Sequence, residues 1–437
     1  SLNAFSQPKA YLFENDNQYA GGWFNQVSND GRYVVGNNAV CSIVYILDTK
    51  TGEAKTITGP GNYVSASDVS NNGIIVGKFQ DPEAIKTYED GSTETCIIPG
   101  IYKDGTWIAV ERAPGLNGGQ AYDGGVNSIS GNGKLMGGYL PYNNSMTKFE
   151  PVIWGEDGKI IQRLPFYSSS QGAAIWSMSD NGNVACGWYD GSMYGDIMIW
   201  KNGERVDTGN YSGQGTIVSA NGKYVGGGCG KGMERPRNKP FIWSEEEGLT
   251  IVQDGPEGIY YGFVQGISND GKTAVGYVGL DSDMTVGRHP FIIKDGVYYD
   301  FDTWMKDNYG LTGPYGTSFW AITAMSADGN VICGLGFYDG ARAPWVVVLD
   351  EAQIGVGINS PKAQEPNVNI AFEPTTKNLK ITGEYNSINL YNNTGACVLT
   401  NNEGAETLNA SNLANGIYIA KVMKDNTSRS IKVVISH

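Results

Sequence analysis

The chain has 437 residues, including 61 Gly and 26 Tyr, and only 17 % of it is charged. High Gly with many aromatics and few charges favours short strands and tight turns over helix bundles. A formal charge of −14 and a pI near 4.7 oppose binding to nucleic acid, or to an anionic membrane, through a diffuse basic surface.

The six cysteines form no Cys-x-x-Cys pair, and His289 and His437 are the only histidines, which argues against a zinc site. No apolar run approaches the roughly 18 residues of a membrane span. No 3.6-period apolar pattern extends beyond about three helical turns.

In chain order, the first element is "KAYLFENDNQYAGGWF" (9–24), a strand followed by a loop. A repeat then begins. Its copies are "VSNDGRYVVG", "VSNNGIIVG", "SISGNGKLMGG", "MSDNGNVACG", "VSANGKYVGG", "ISNDGKTAVG" and "MSADGNVICG". They align on Ser28, Ser70, Ser130, Ser179, Ser219, Ser268 and Ser326, at intervals of 42, 60, 49, 40, 49 and 58 residues. Asn-Gly or Asp-Gly between apolar runs is a strong hairpin signal and predicts type I′ turns.

After each copy comes a second apolar run, such as "PVIWGEDG", "IMIWKNG" or "PFIWSEEEG". Pro is tolerated at a strand's first residue because no ladder donor is needed there. A further turn leads to a short fourth strand, as in "EAKTIT" or "KIIQRL". Four antiparallel strands per unit of about 50 residues, seven times over, predict an all-β, seven-bladed β-propeller over residues 1–355. The seventh unit lacks its own fourth strand. Ala10–Phe13 is expected to supply it by pairing with Trp345–Leu349.

Residues 356–368 read as a linker, and 369–437 as a small C-terminal β-sandwich. Cys186 and Cys333 share a second-strand position and read as buried thiols filling apolar space. Cys41 and Cys96 start neighbouring third strands, which leaves a disulfide between them open.

In a propeller the loops joining units share one face and surround the channel mouth. Loop residues are the better functional candidates. The loops here carry Trp23, Tyr63, Tyr122, Trp176, Tyr211, Tyr261 and Trp320 at comparable places. Their faces suit stacking on sugar rings; the alternative is that they plug the inner ends of the units. Arg237, Arg288 and Arg342 precede three successive third strands, and Arg forks suit carboxylate, sulfate or phosphate. The alternative is pairing with neighbouring carboxylates.

Glycoside hydrolysis needs two fixed carboxylates. Asp81, Glu83, Asp190, Asp196, Asp281, Asp283 and Asp339 supply loop acids, but spacing selects no pair among them. With one internal histidine there is no Ser-His-Asp arrangement. No cofactor is expected; "DSDMT" (281–285) offers some calcium-type oxygens without the full ligand run.

The repeat resembles the extracellular HAF-type repeat family, an Ile-Asn-x-x-Gly-x-x-x-Gly hairpin alternating with an apolar-aromatic strand. Ser stands in place of the Asn in all seven copies. That resemblance implies a propeller in an extracellular setting and carries no catalytic residues.

The tail resembles the C-terminal sorting domain of type IX secretion in Bacteroidetes. The resemblance rests on Phe372-Glu373-Pro374, Leu379, Ile381, Ile388-Asn389-Leu390-Tyr391, Thr394-Gly395, Leu413-Ala414-Asn415-Gly416-Ile417-Tyr418-Ile419 and Lys432-Val433-Val434. It implies export across the outer membrane and attachment at the cell surface.

The expectation is a monomeric, secreted or surface-attached binding or adhesion protein. Its ligand is a glycan or a surface protein held at the channel mouth. The alternatives are a glycan-active hydrolase or lyase and a purely structural surface protein.

Overall fold

The computed structural model describes residues 9–12, 23–112, 124–142, 148–166, 172–189, 196–209, 211–230, 239–252, 255–280, 287–313, 317–338, 341–349, 368–392, 396–402, 404–424 and 427–437. The chain divides into two compact units, Ser1–Ile354 and Gly355–His437.

The first unit consists of seven antiparallel strand groups. Their first strands are Trp23–Val27, Val64–Val69, Gly125–Ile129, Ala173–Met178, Ser212–Val218, Tyr261–Ile267 and Ala321–Met325. The second strands are Tyr33–Asn37, Ile75–Thr87, Leu135–Pro141, Val184–Tyr189, Tyr224–Gly230, Thr273–Gly279 and Val331–Tyr338. The third are Val44–Asp48, Thr93–Lys103, Phe149–Gly155, Asp196–Lys201, Lys239–Ser244, Arg288–Lys294 and Ala341–Val348. Six groups take their fourth strand from the residues that follow: Glu53–Ile57, Thr106–Ala109, Ile160–Arg163, Glu204–Arg205, Gly248–Ile251 and Val297–Asp300. The seventh takes Lys9–Leu12, with Lys9 opposite Val348 and Leu12 opposite Trp345. The single pair Asp196–Ser212 joins the fourth and fifth groups into one sheet.

Each second strand packs on the first strand of the next group, and Val331–Tyr338 of the seventh packs on Trp23–Val27 of the first. One buried cluster accordingly combines Val27 and Val34 with Ala324, Val331 and Cys333. Trp154, Trp200 and Trp345 of the third strands are fully buried. Burial of an apolar side chain of this size contributes roughly 1.5–3 kcal/mol. Their indole N–H groups donate to the carbonyls of Glu111, Pro165 and Phe319, at 2.9, 2.8 and 2.9 Å. Each of these carbonyls lies on the segment that enters the same group, so the Trp also fixes how the chain arrives.

The repeat hairpin differs from the type I′ expectation. Only its glycines take positive φ (Gly271 at 71°), while the preceding Asn or Asp does not. The reason is the buried serine. Ser268 Oγ donates to Asp270 at 2.6 Å and accepts the Thr273 N–H at 3.0 Å, and its carbonyl accepts the Gly271 N–H. The same pair of side-chain contacts recurs at Ser28, Ser70, Ser130, Ser179, Ser219 and Ser326. Type I′ geometry, with positive φ at both central residues, occurs instead between third and fourth strands at Asp104-Gly105, Asn202-Gly203 and Asp295-Gly296.

Every first strand also carries a β-bulge. The register shifts between Phe24 and Gln26, Ala66 and Asp68, Val126 and Ser128, Ile175 and Ser177, Gly215 and Ile217, Val264 and Gly266, and Ile322 and Ala324. This explains the repeat's second glycine. A Cβ on Gly187 would lie 1.8 Å from the Ala174 carbonyl, and one on Gly276 2.0 Å from that of Phe263.

One helix, α1 (Phe301–Tyr309), links the sixth and seventh groups. Asp300 caps it by accepting the Thr303 N–H, and Gly310 ends it in the left-handed conformation. It buries Phe301 and Met305 among Phe319, Ile332 and Trp345.

The second unit has a three-stranded sheet (Asn369–Glu373, Asn378–Thr382, Thr407–Asn409) and a four-stranded one (Ser387–Tyr391, Cys397–Asn401, Gly416–Lys424, Thr427–Ile435). Both contribute to one core that includes Ile370, Leu379, Ile381, Leu390, Tyr418, Val422 and Val433.

Cys186, Cys229 and Cys333 are buried, and no disulfide joins Cys41 to Cys96. Among the described residues no helix is long and apolar enough to cross a membrane.

Candidate functional site

A bulge turns one extra side chain out of the ladder. With the seven first strands side by side, those side chains converge. A cavity of about 360 Å³ is lined by Gln26, Ser67, Asn127, Trp176, Gln214, Thr216, Ile217, Gln265 and Thr323. All seven groups contribute. In the second to seventh groups the bulged residues themselves (Ser67, Asn127, Trp176, Thr216, Gln265, Thr323) reach it, each three positions before the repeat serine.

Part of this lining joins the groups. Asn127 Nδ2 donates to the Ile175 carbonyl at 2.7 Å, and Thr216 Oγ1 donates to that of Val264. Thr323 Oγ1 donates to the Cys333 carbonyl at 3.3 Å. Gln26 accepts the Val27 N–H at 3.2 Å, and Gln265 hydrogen-bonds the Tyr277 hydroxyl. Trp176 is the one aromatic among the described lining residues and keeps 38 % of its surface exposed.

Below this wall lie Asp68, Ser128 and Ser177, which line a void of about 30 Å³ with Gln26, Asn29 and Met325 among others. Asp68 accepts the N–H groups of Val69 and Ile129, both at 2.8 Å. Burial pushes its carboxyl up to about 7 against these bonds, with Asp180 adding to the rise. Ser128 and Ser177 likewise accept the N–H groups of Met178 and Val218 in the following groups.

Of the described residues expected at the channel mouth, Trp176 alone lines the cavity. Tyr261 is 3 % exposed and packs edge-on against Tyr277, because it lies inside a first strand and not on a rim. Trp320 is 8 % exposed, edge-on to Phe337. These two are packing side chains, so the expectation of a common stacking rim is corrected there. Tyr63 is half-buried, with its hydroxyl bonded to the Cys41 thiol, and Tyr211 is half-buried against the Val184–Cys186 core. Trp23 lies in its first strand opposite Asn37, and its side chain, like all of Tyr122, is outside the described residues.

The arginines do not form one patch among the described residues. Arg288 lies with its guanidinium carbon 4.6 Å from the ring centroids of both Tyr277 and Trp320. Arg342 is exposed opposite Phe337, and Arg237 is outside the described residues. Asp190, Asp281, Asp283 and Asp339 are also outside them, and with them the "DSDMT" segment. Asp81, Glu83 and Asp196 are described and do not line the cavity. No group of potential metal ligands occurs among the described residues.

Sequence reasoning missed Gln26, Ser67, Asn127, Gln214 and Gln265. For Ser67, Asn127 and Gln265 a signal exists, a polar residue three positions before the repeat serine, whereas Gln26 and Gln214 stand two and five positions before theirs and share no such spacing.

Residues 364–436 match the family of secretion system C-terminal sorting domains. No curated protein matches the chain. Among solved structures, the chain is similar to the β-propeller domain of Cps50 (Swd1) from Myceliophteria thermophila, at 11 % identity over 77 % of this chain and 99 % of that one, with a TM-score of 0.43. Hydrazine synthase of Kuenenia stuttgartiensis matches at 14 % identity over 76 % and 97 %, with a TM-score of 0.42. PorZ, a surface component of the type IX secretion system of Porphyromonas gingivalis, matches at 12 % identity over 95 % and 70 %, with a TM-score of 0.35. The C-terminal segment is a type IX secretion sorting domain, and the protein is secreted or attached at the outer-membrane surface.

Proposed function

We propose that this secreted or surface-attached protein is a seven-bladed β-propeller, followed by a C-terminal β-sandwich, that binds a glycan in its central cavity. The seven strand groups and the packing of the seventh on the first support the blade count. The two sheets around one core support the sandwich.

The observation that carries the binding reading is Trp176. An indole face with 38 % of its surface exposed stands in a wall of amides and hydroxyls. Every other bulged residue described there is polar, so packing of the repeat does not require an aromatic at this place. Sugars present an apolar C–H face and a fringe of hydroxyls. A flat ring beside Gln26, Gln214, Gln265 and Ser67 matches both. The volume falls within the roughly 300–1,000 Å³ of small-molecule sites.

The described lining residues include no pair of carboxylates, and Asp68 beneath them is committed to two backbone N–H groups. That favours binding over hydrolysis.

The test is a glycan array with the full chain, followed by calorimetric titration of the hits. Trp176→Ala is expected to weaken binding at least ~10-fold, as expected of a central aromatic anchor. Unchanged affinity in that variant would move the site elsewhere.

A further inference from the structure

The far end of the cavity is closed by the repeat turns themselves. Every junction between successive groups has a turn-to-turn hydrogen bond. Asp30 N–H donates to Asn71 Oδ1, Asn71 N–H to the Gly131 carbonyl and Gly131 N–H to Asp180 Oδ1. Asp180 N–H donates to the Ala220 carbonyl, and Asn221 N–H to Asn269 Oδ1. Asn269 N–H donates to the Ala327 carbonyl, and Ala327 N–H to that of Asn29.

A further bond crosses the middle. Asn29 Nδ2 of the first group donates to Asp180 Oδ1 of the fourth at 2.8 Å. A Cβ added to Gly131 would lie 2.9, 3.1 and 3.2 Å from side-chain atoms of Asn71, Asp180 and Asn29, so four groups meet at one point. Between this knot and the cavity the void of about 30 Å³ has room for roughly one water. The cavity is a cup with one mouth. A polymer cannot thread through it.

The described lining of the cup is also uncharged: it is amide, hydroxyl, indole and one isoleucine. The acidic group nearest its floor is Asp68, and the chain as a whole carries −14. Arg288 stands one residue back from the wall: it faces Tyr277, whose hydroxyl bonds Gln265. An anion entering the cup would leave water without meeting a cation among the described lining residues, which is costly.

Resting on the glycan reading above, we infer that the cup takes the neutral terminal unit of a glycan, end-on. That unit would stack on Trp176 and offer its hydroxyls to Gln26, Gln214 and Gln265. Acidic sugars and chain interiors are excluded, the first by charge and the second by the closed floor.

The experiment titrates the full chain with linear neutral hexasaccharides of glucose, mannose and xylose, with the same chains oxidised to a uronate at the terminal unit, and with a cyclic neutral glucan. At least one linear neutral chain is expected to bind. Oxidising its terminal unit should weaken binding ~10-fold or more, and the cyclic sugar should not bind. Trp176→Phe should retain part of the affinity that Trp176→Ala loses. Equal affinity for uronate-ended or cyclic sugars would overturn this inference and leave the glycan reading standing. Silence towards every sugar on a broad array would overturn both.

Discussion

Asp68 of the second strand group accepts the backbone N–H of Ile129 of the third at 2.8 Å, from a fully buried position. A carboxyl that joins two groups without a cation beside it prefers to hold its proton. Its folded value is about 7, against an ordinary 3.8. Between those values the native state binds a proton that the unfolded chain has released. Stability from this group is therefore present at low pH and lost as pH rises through about 7. Thermal unfolding of wild type and Asp68→Asn from pH 4 to 8 isolates this contribution. Wild type is expected to lose ground to the variant as pH rises, by an amount on the order of a few kcal/mol at ~1.4 per pH unit. Parallel curves would show that Asp68 does not titrate in this range.

The repeat serine makes a second prediction. Ser268→Ala leaves the buried Thr273 N–H without its acceptor and Asp270 with the Lys272 N–H but not the serine hydroxyl. Loss of about 1–3 kcal/mol is expected in chemical denaturation. Gly276→Ala should cost more, because its Cβ would collide with the Phe263 carbonyl and no rotamer relieves a clash with backbone. A loss in Gly276→Ala smaller than that in Ser268→Ala would contradict the bulge geometry.

Why the fold was legible and the site only partly so follows from these same residues. Repetition marks whatever every group needs: Ser268 for the turn and Gly276 for the bulge. These stand out at a fixed spacing; the strand the seventh group lacked was expected at Ala10–Phe13 and lies at Lys9–Leu12, with Phe13 outside the described residues. A binding site depends on what differs between copies. Trp176 was visible because an aromatic is conspicuous. Gln265 was not, because an amide within a strand reads as a solvent-facing residue until the bulge turns it inward. Tyr261 misled because a loop aromatic and the first residue of a strand look alike when the boundary is uncertain. The type I′ assignment failed at Asn269-Asp270-Gly271 because side-chain bonds from Ser268, absent from a dipeptide rule, decide that turn.

Thiol chemistry gives a third prediction. Cys397 is exposed, whereas Cys96, Cys186, Cys229 and Cys333 are buried. Burial pushes Cys229 and Cys333 up to about 12 and raises Cys186 as well, so little thiolate forms near neutrality. Iodoacetamide under native conditions should label Cys397 first and half-buried Cys41 more slowly. The other four should react only after unfolding, as read by peptide mass spectrometry. Rapid native labelling of Cys186 or Cys333 would mean that the second strands open on the labelling timescale.

Arg288 separates the two roles an arginine near this cavity can have. Its guanidinium carbon is 4.6 Å from both the Tyr277 and Trp320 rings, and Trp320 holds a left-handed backbone with φ of 56°. A cation between two rings contributes roughly 0.5–2 kcal/mol per ring, towards the upper end when it is shielded from water. It also secures a residue whose backbone conformation is costly. If Arg288 is a brace, Arg288→Ala lowers the unfolding temperature by a few degrees. Affinity then falls less than in Trp176→Ala, since only the Tyr277 contact to Gln265 is loosened. If it is a ligand contact, the order reverses: affinity collapses while the unfolding temperature holds. Thermal unfolding and sugar titration on the same two variants distinguish these outcomes, and the sandwich geometry predicts the first.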